Sequence, residues 1–364
     1  MKSRQRIALL LTGFLPLAIA AEWLGWGDGA VFGLSALAIL PLAVWLSTAT
    51  EELSIALGPS IGALLNALFG NATELIIALA ALKAGLGEIV KASITGTVMA
   101  NLLLALGLSM LVGGIGRGEQ SFQPVLARVN GSAMTLAVLA ILIPSLTSLI
   151  PGGSAAGHES FSIFVAWLLL LVYGLTLLFS LRTHRTLYEV AEVELELPAA
   201  HGGDALPRPP ILPWLLVLLG ATAGIAIASE LFVGVIETVT ASFGFSPLFS
   251  GIVLLPLLGG VAEYITAVSM ARRDKMDLAV SVSLGSTLLV ALLVVPLLIL
   301  IGPLLGQPLD LSFQPFELVA IAAAVLVSNL VSLDGRSNWL EGVLLLAAYV
   351  ILAAGFFFET GPIG

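Results

Sequence analysis

Residues 69–85, FGNATELIIALAALKAG, place one acid, Glu74, inside a run of apolar residues that reads as part of a membrane span. An ionised carboxylate at the centre of a bilayer costs roughly 2.5–3.5 kcal/mol on insertion scales. An acid kept at that depth indicates a functional site, so a partner for Glu74 should lie elsewhere in the chain.

An internal repeat supplies the partner. Shifting the sequence by 189 residues aligns GALLNALFGNATELIIAL (62–79) with GIVLLPLLGGVAEYITAV (251–268) without a gap, and Glu74 then meets Glu263. Apolar residues pair by chance in so biased a composition, but two glutamates flanked by glycines do not. We therefore interpret the two stretches as equivalent parts of two duplicated halves.

The composition is that of a membrane protein. Of 364 residues, 59% are hydrophobic and only 10% are charged, which lies far outside the range of soluble domains. Apolar runs of about 18–25 residues predict helices rather than a barrel. The chain has no cysteine, which excludes disulfides and cysteine metal sites, and no basic patch for nucleic acid.

The sequence predicts an all-α integral membrane protein of about 11 transmembrane helices. An extra N-terminal helix (1–30) precedes a first repeat of five helices (31–182), a cytoplasmic acidic linker (183–210) and a second five-helix repeat (211–364). The predicted spans are 7–24, 31–50, 61–82, 89–113, 125–150, 161–181, 211–242, 248–271, 278–302, 315–332 and 339–358.

Basic residues set the predicted orientation. With the N-terminus cytoplasmic, 12 of the 14 Lys and Arg residues fall on the cytoplasmic side, and only Lys83 and Lys91 fall outside. The C-terminus is then external, and the lean loops suggest a bacterial inner membrane. Alternatively, the basic start and the apolar run that follows it are a cleavable signal peptide, which would leave ten spans.

The two glutamates lie in the third and eighth predicted spans. An offset of five spans is odd, so the two halves cross the membrane in opposite directions. Inverted repeats of this kind, with Gly or Pro breaks at matching positions, are typical of secondary transporters that bind their substrate at mid-membrane. The breaks here are Gly70-Asn71 in the first half and Pro256 with Gly259-Gly260 in the second.

Two facing carboxylates in a membrane must be neutralised. Burial and the neighbouring like charge both favour protonation unless a cation takes the place of the protons. A site that holds either protons or a cation meets the chemical requirement for proton/cation antiport. No span contains histidine, so the oxygen-rich site favours a hard cation, with calcium, manganese and sodium left open.

Polar residues near the acids extend the candidate site. Asn71 stands three residues before Glu74, and Ser93, Thr97 and Asn101 form a stripe with a spacing of four. Repeat symmetry pairs Thr97 with Ser286. Ser and Thr on membrane helices more often serve packing, and we assign that role to Ser93, Thr95, Ser281 and Ser283.

Other acids have two interpretations each. Glu230 and Glu237 lie seven apart on the seventh span, where they either line a water-filled ion path or gate, or make a stabilising polar contact. Glu51 and Glu52 are expected to begin a solvated cytoplasmic turn, with a role in ion access as the alternative. For Glu74 and Glu263, the alternative is a buried pair that only aids folding.

With both stretches identified, the chain resembles the calcium/proton exchangers (CAX) within the calcium/cation antiporter superfamily. The resemblance is carried by GNATELIIALAALKAGLGEIVKASITGTVMANLLLALGLSMLVGG (70–114) and by the segment from 316, and it runs from about 45 to 357. It implies an eleven-helix antiporter that uses alternating access to exchange cytosolic Ca2+ for external H+. The cation- and proton-binding residues it implies are Glu74, Glu263, Asn71, Thr97, Asn101 and Ser286.

The second motif departs from the pattern of that family. Members usually show G-N-A-A-E-H and then G-S-S-x-Q, whereas this chain has GGVAEY (259–264) and GSTLLV (285–290). Gly260, Tyr264 and Leu289 thus replace Asn, His and Gln. The carboxylate pair is intact, but the departure leaves open a different cation, such as Mn2+ or Na+.

The linker at 185–210, RTLYEVAEVELELPAAHGGDALPRPP, is rich in acids. It resembles an acidic helix of the CAX family that is associated with calcium sensing. Its four closely spaced acids either gather a cation or belong to a solvated linker: Glu189, Glu192, Glu194 and Glu196.

Other functional classes fit less well. An intramembrane enzyme would need catalytic partners that the spans lack, and an ATP-driven pump would need a phosphate-binding loop, so we predict a protein that is not an enzyme. A cation channel is the remaining alternative. No cofactor is expected. The expected partners are Ca2+ and H+ as substrates and the lipid bilayer, without nucleic acid, and formation of a homo-oligomer is left open.

Overall fold

The structure, a computed structural model, describes residues 12–148, 150, 154–183 and 209–359. Within these ranges the chain is helical apart from turns and one pair of two-residue strands. Each of the eleven predicted spans coincides with a helix or a broken helix, numbered α1–α11 below. The predicted all-α membrane fold is therefore confirmed.

The helices of the first half follow one another with short turns. They are α1 (Phe14–Leu24), α2 (Asp28–Leu57), α3a (Pro59–Phe69), α3b (Ala72–Lys83), α4 (Gly87–Gly114, with a π turn at Ala100–Ala105), α5 (Pro124–Ser148) and α6 (Ala155–Leu178, continued by a π turn at Phe179–Thr183).

The second half repeats this order. Its helices are α7 (Ile211–Ser242), α8a (Pro247–Gly259, with a π turn at Ser250–Leu254), α8b (Val261–Arg272), α9 (Met276–Leu305, with a π turn at Val290–Val294 and a 3-10 end at Gly302–Leu305), α10 (Pro315–Val331) and α11 (Trp339–Glu359).

Most of these helices are long and apolar enough to span a bilayer as single helices. Eight described helices are long and apolar enough, and the α8a–α8b pair makes a ninth if it counts as one span bent by 61°. The other two apolar helices are shorter, α1 with 11 residues and α10 with 17. The predicted start of α1 at residue 7 lies outside the described residues.

One predicted boundary is wrong. Glu51 and Glu52 lie within α2, which continues to Leu57, and the turn comes at Gly58, whose φ of 86° suits glycine. The helix continues through EELSIAL (51–57) because Leu53 and Ala56 are buried against the rest of the protein. Glu51 is exposed and Glu52 is half-buried.

The two helices that follow the broken ones form the centre of the molecule. In an apolar 18-residue stretch of α4, 83% of the stretch is buried inside the protein, and the corresponding share in α9 is 56%. The corresponding share is only 22% for α6 and for α11, which leaves their apolar surfaces for lipid. Because α4 and α9 are repeat equivalents, the centre of the bundle is built from equivalent parts of the two halves.

Contacts between loops sort the helix ends into two groups. At the end we call the β end, strand β1 (Gln120–Ser121) pairs with β2 (Arg336–Ser337), and Gln120 donates to Asp274 in the α8b–α9 turn. At the opposite end, called the Lys91 end, Ser145 of α5 donates to the carbonyl of Leu311 in the α9–α10 loop. This grouping agrees with the alternation of eleven spans.

The grouping also gives the direction of the broken helices. Helix α8b finishes at the β end, where Arg117 donates to the carbonyl of Arg272. Helix α3b finishes at the Lys91 end, where Gly85 packs on Gln307 in the α9–α10 loop. The two equivalent helices thus run antiparallel, as an inverted repeat requires.

A buried lysine ties α4 to the α9–α10 loop. The Lys91 side chain is 10% exposed and lies 2.9 Å from Oδ1 of Asp310, and it donates to Ser312 at 3.2 Å. Burial opposes ionisation of Asp310, but hydrogen bonds from Ser312 and Lys91, with the charge of Lys91, outweigh burial and lower the pKa of Asp310. The ion pair therefore persists at neutral pH.

Replacing Asp310 by Asn should destabilise the protein at neutral pH by about 1–2 kcal/mol, because Lys91 loses its main partner while staying buried. A carboxyl with a lowered pKa stabilises the fold above the ordinary Asp range, and this contribution disappears as the pH falls through its folded-state pKa. Thermal unfolding in detergent at pH 7 and pH 3 should therefore show the difference from wild type shrinking in acid.

The matched control for Asp310→Asn is Glu88→Gln. Glu88 also contacts Lys91, but at 3.4 Å and with 67% of its side chain exposed. Exposed pairs contribute little, so this variant should unfold like the wild type at both pH values. Equal losses in the two variants would contradict the assigned role of Asp310.

Candidate cation site

Helices α3 and α8 both break at the positions that the repeat aligns. In α3 the helix stops at Phe69 and restarts at Ala72, with Asn71 at φ −120° and ψ 32°. In α8 it stops at Gly259 and restarts at Val261, and the two pieces meet at 61°. The broken helices predicted from Gly and Pro are therefore present in both halves.

Each restarted helix presents a carboxylate in its first turn, Glu74 in α3b and Glu263 in α8b. The first turn of a helix carries unpaired N–H groups and the positive end of the helix dipole, which favour negative charge. The breaks thus move two helix N-termini, with their acids, into the interior of the protein.

The two acids come together. A Cβ placed on Gly259 would lie 3.0 Å from Cγ and 3.6 Å from Cδ of Glu74, so the Glu74 side chain crosses the break of the other half. Glu263 lies four residues beyond Gly259, in the first turn of the helix that restarts after this break. The juxtaposition expected from the inverted repeat is what the structure contains.

Three of the four carboxylate oxygens of the pair are buried without a hydrogen-bond partner among the described residues. Glu74 is only 9% exposed, and neither of its buried carboxylate oxygens has a partner within the described part of the chain. Oε2 of Glu263 is buried without a partner in the same ranges. Buried polar atoms are almost always satisfied, so these oxygens call for a proton or a cation. A pair that only aids folding would need such hydrogen bonds, and the stability of glutamine variants tests that alternative.

Amide and hydroxyl groups adjoin the acids. Nδ2 of Asn71 donates to Oγ of Ser286 at 2.7 Å, and Nδ2 of Asn101 donates to the same oxygen at 3.1 Å. These hydrogen bonds join the α3 break to the centres of α4 and α9. In the described ranges, no group of three or more His, Cys, Asp or Glu is placed to share a metal, so neutral oxygens must complete any cation shell.

A small cavity lies beside Glu74. It is lined by Glu74, Ile77, Ala78, Ser93, Thr97 and Leu255. Ser93 therefore borders the candidate site, although its spacing with Thr97 and Asn101 was the only sequence signal for that. Thr95 lies on another face of α4, where it donates to the buried Glu317 at 3.2 Å.

The structure thus connects all six predicted residues. Glu74 crosses the helix break that precedes Glu263, Thr97 lines the same cavity as Glu74, and Ser286 binds both asparagines. Their role in cation and proton binding stays a prediction. Leu289, which stands where the CAX pattern has Gln, presents Cδ1 to Gly70 at the first break, 3.4 Å from where a Cβ would lie.

The two halves differ in how the broken helices pack. A Cβ on Gly96 of α4 would lie 2.6 Å from the carbonyl carbon of Ile252, because α8a packs directly on α4. At the repeat equivalent Gly285 of α9, no atom lies within 4 Å of the Cβ position. Among the described residues, α9 does not pack on α3a as α4 packs on α8a, and Leu64 of α3a is 51% exposed. The site is thus tightly packed on the α8a side and loosely packed on the α3a side.

The acids of α7 are outside the cavity. Glu230 is exposed and forms a 2.7 Å ion pair with Lys83, the last residue of α3b, so the polar contact is the alternative that the structure contains for it. Glu237 is exposed as well. The role of these two acids in an ion path or gate stays a prediction. Glu189, Glu192, Glu194 and Glu196 lie outside the described residues.

The sequence profile of the sodium/calcium exchanger protein family matches residues 29–182 and 213–358. The chain belongs to this family. Both matched segments contain one broken helix with its glutamate, so the site described above falls within the family's own region.

Relatives of this exchanger are similar along their whole length. The Ca2+/H+ antiporter of Synechocystis sp. is 49% identical over 99% of both chains, and that of Aphanothece halophytica is 48% identical over 99% of this chain and 98% of its own. The solved structure of native YfkE superimposes with a TM-score of 0.82 at 37% identity, covering 96% of this chain and 98% of that one.

Proposed function

We propose that this exchanger is a secondary active antiporter that exchanges cytosolic Ca2+ for external H+ by alternating access. The observation that carries the proposal is the pair of carboxylates, Glu74 and Glu263, at the two helix breaks: both oxygens of Glu74 and Oε2 of Glu263 are buried without a hydrogen-bond partner among the described residues. The names of the relatives from Synechocystis sp. and Aphanothece halophytica support Ca2+ and H+ as the exchanged ions.

In the proposed cycle, protons and cation exclude each other. A divalent cation between Glu74 and Glu263 cancels both charges, and protons do so when the cation leaves. Neither acid can be left ionised alone without the cost of a buried charge. Movement of the loaded site between the two sides therefore couples the two flows, and no cofactor is needed.

The orientation in the proposal follows the positive-inside rule. With the N-terminus in the cytoplasm, the β end is cytoplasmic and collects Arg117, Arg272 and Arg336, while the Lys91 end is external. The membrane would be the inner membrane of a bacterium.

The proposal is tested by uptake into proteoliposomes that carry an imposed pH gradient. Radiolabelled Ca2+, Mn2+ and Na+ are compared, and a proton-sensitive dye follows the counter-flow. We expect Ca2+ to accumulate above its external concentration, with proton movement in the opposite direction, and a protonophore to abolish both.

Each alternative predicts another result in that experiment. Uphill movement of Mn2+ or Na+ without Ca2+ would assign a different cation to the antiporter. Flux that never exceeds equilibration would indicate a channel. Absence of any proton-coupled cation flux would contradict the proposed function altogether.

A further inference from the structure

Repeat symmetry leaves one interaction of the site without its equivalent. In the first half, the Asn71 side chain reaches from the helix break to Ser286 of α9 at 2.7 Å. The repeat equivalent of Asn71 is Gly260 in the second half, and that of Ser286 is Thr97 in the first half. Gly260 has no side chain, and the Thr97 hydroxyl turns back to the carbonyl of Ser93 at 2.8 Å. The second break therefore lacks the neutral polar group that the first break has.

The backbone does not require glycine at this position. Gly260 has φ −85° and ψ 8°, which residues with side chains adopt as well. What excludes a side chain is Tyr264: a Cβ on Gly260 would lie 2.5 Å from Cζ and 2.8 Å from Cε1 of its ring. The phenol end of Tyr264 thus fills the space in which an asparagine at 260 would begin.

Tyr264 brings an oxygen to the second break. It is 8% exposed and follows Glu263 in the first turn of α8b, and its hydroxyl donates to the carbonyl of Pro256 at 2.9 Å. The phenol lies against Gly260 and the Glu74 side chain lies against the adjacent Gly259, so both groups stand at the same helix break. The repeat equivalent of Tyr264 is Leu75, which has no polar atom, so this oxygen belongs to the second half alone.

We propose that the Tyr264 hydroxyl is the neutral oxygen ligand that the second half contributes to the transported cation, in place of the side chain missing at Gly260. This inference rests on the proposed cation exchange. A hydroxyl that donates its single hydrogen to Pro256 keeps its oxygen lone pairs, and hard cations bind such oxygens. The ligand adds no charge, so Glu74 and Glu263 still determine how many protons balance the cation.

The test replaces Tyr264 by Phe, which removes the oxygen and keeps the ring. We expect the KM for Ca2+ to rise roughly threefold to tenfold, the size of one lost polar contact, while kcat is retained. The rise should be larger for Ca2+, which takes 6–8 oxygens, than for the six-coordinate Mn2+. Equilibrium binding of radiolabelled Ca2+ to the detergent-solubilised protein should weaken by the same factor.

The matched control is Tyr173→Phe. The Tyr173 hydroxyl lies 3.4 Å from the carbonyl of Ala67, which is the repeat equivalent of Pro256. If capping such a carbonyl were the whole role of Tyr264, both variants would lower the unfolding temperature and leave the KM unchanged, and the inference would be overturned. We expect only Tyr264→Phe to change the KM.

A second pair of variants tests the shared space. Gly260→Asn should lose Ca2+ exchange, because its side chain collides with the ring, and Gly260→Asn combined with Tyr264→His should regain it. A double variant that stays inactive although folded would count against the inference. Wild-type protein without any exchange would overturn the proposed function, whereas an active Tyr264→Phe variant with wild-type KM and Ca2+ binding would overturn this inference alone.

Discussion

Replacing Glu74 or Glu263 by glutamine should abolish proton-coupled Ca2+ uptake while leaving the protein folded. Glutamine has nearly the shape of glutamate, but it can neither release a proton at physiological pH nor balance the charge of a cation. Changing a group that only supports a metal ligand already costs about 10–100-fold, so losing a ligand should cost at least on the order of 100-fold. Uptake into proteoliposomes under a pH gradient measures the loss.

Stability separates this prediction from a structural role for the acids. Both oxygens of Glu74 are buried without a hydrogen-bond partner among the described residues, so removing its charge should leave the unfolding temperature unchanged or raise it. If the acids served folding instead, both glutamine variants would unfold earlier. Glu119→Gln is the matched control, since Glu119 forms an exposed ion pair with Arg336 and should transport normally.

The second large effect is expected at a pair of glycines. Alanine at Gly96 would press its Cβ into the backbone of Ile252, which lies 2.6 Å away, whereas alanine at Gly285 meets no atom within 4 Å. Overpacking of this kind costs about 1–3 kcal/mol or more. Gly96→Ala should therefore lower the unfolding temperature of the cation-free protein, and Gly285→Ala should not.

Transport should slow in the Gly285→Ala variant as well, although its stability is unchanged. Under alternating access through an inverted repeat, the two halves exchange their packing, so in the opposite state α3a closes on α9 as α8a now closes on α4. Alanine at Gly285 then obstructs that state, and exchange should slow by roughly fivefold or more although stability is unchanged. A Gly285→Ala protein that exchanges ions at the wild-type rate would contradict this account.

Much of this architecture could be predicted from the sequence, because the membrane imposes simple rules. Runs of about 20 apolar residues must be helices, and the repeat could pair Glu74 with Glu263 without any coordinates. Helix ends in water obey weaker rules, which is why α2 runs beyond the predicted turn at Glu51. Helix α10 begins with a capping box between Gln314 and Glu317, and Pro315 followed two residues later by Glu is a sequence signal for such a helix start. That Glu317 is buried and accepts a hydrogen bond from Thr95 could be seen only in the structure.

Contacts between distant helices could not be predicted. Nothing in the order of residues shows that Lys83 pairs with Glu230, and the spacing of Ser93 with Thr97 gave a helix face but not the cavity that this face lines. The steric link between Gly260 and Tyr264 is likewise visible only because the ring folds back over the break. Spacing identifies which residues share a helix face, but the neighbouring helix decides what that face meets.

The π turns of α4 and α9 lie at matching positions of the two central helices. They occupy Ala100–Ala105 and Val290–Val294, which the offset of 189 residues places on one another. A π turn holds one more residue than regular helical geometry accommodates, and such turns concentrate at functional sites. In α4 the π turn contains Asn101, which donates to Ser286, so the extra residue sets the direction in which this helix presents an amide to the centre of the site.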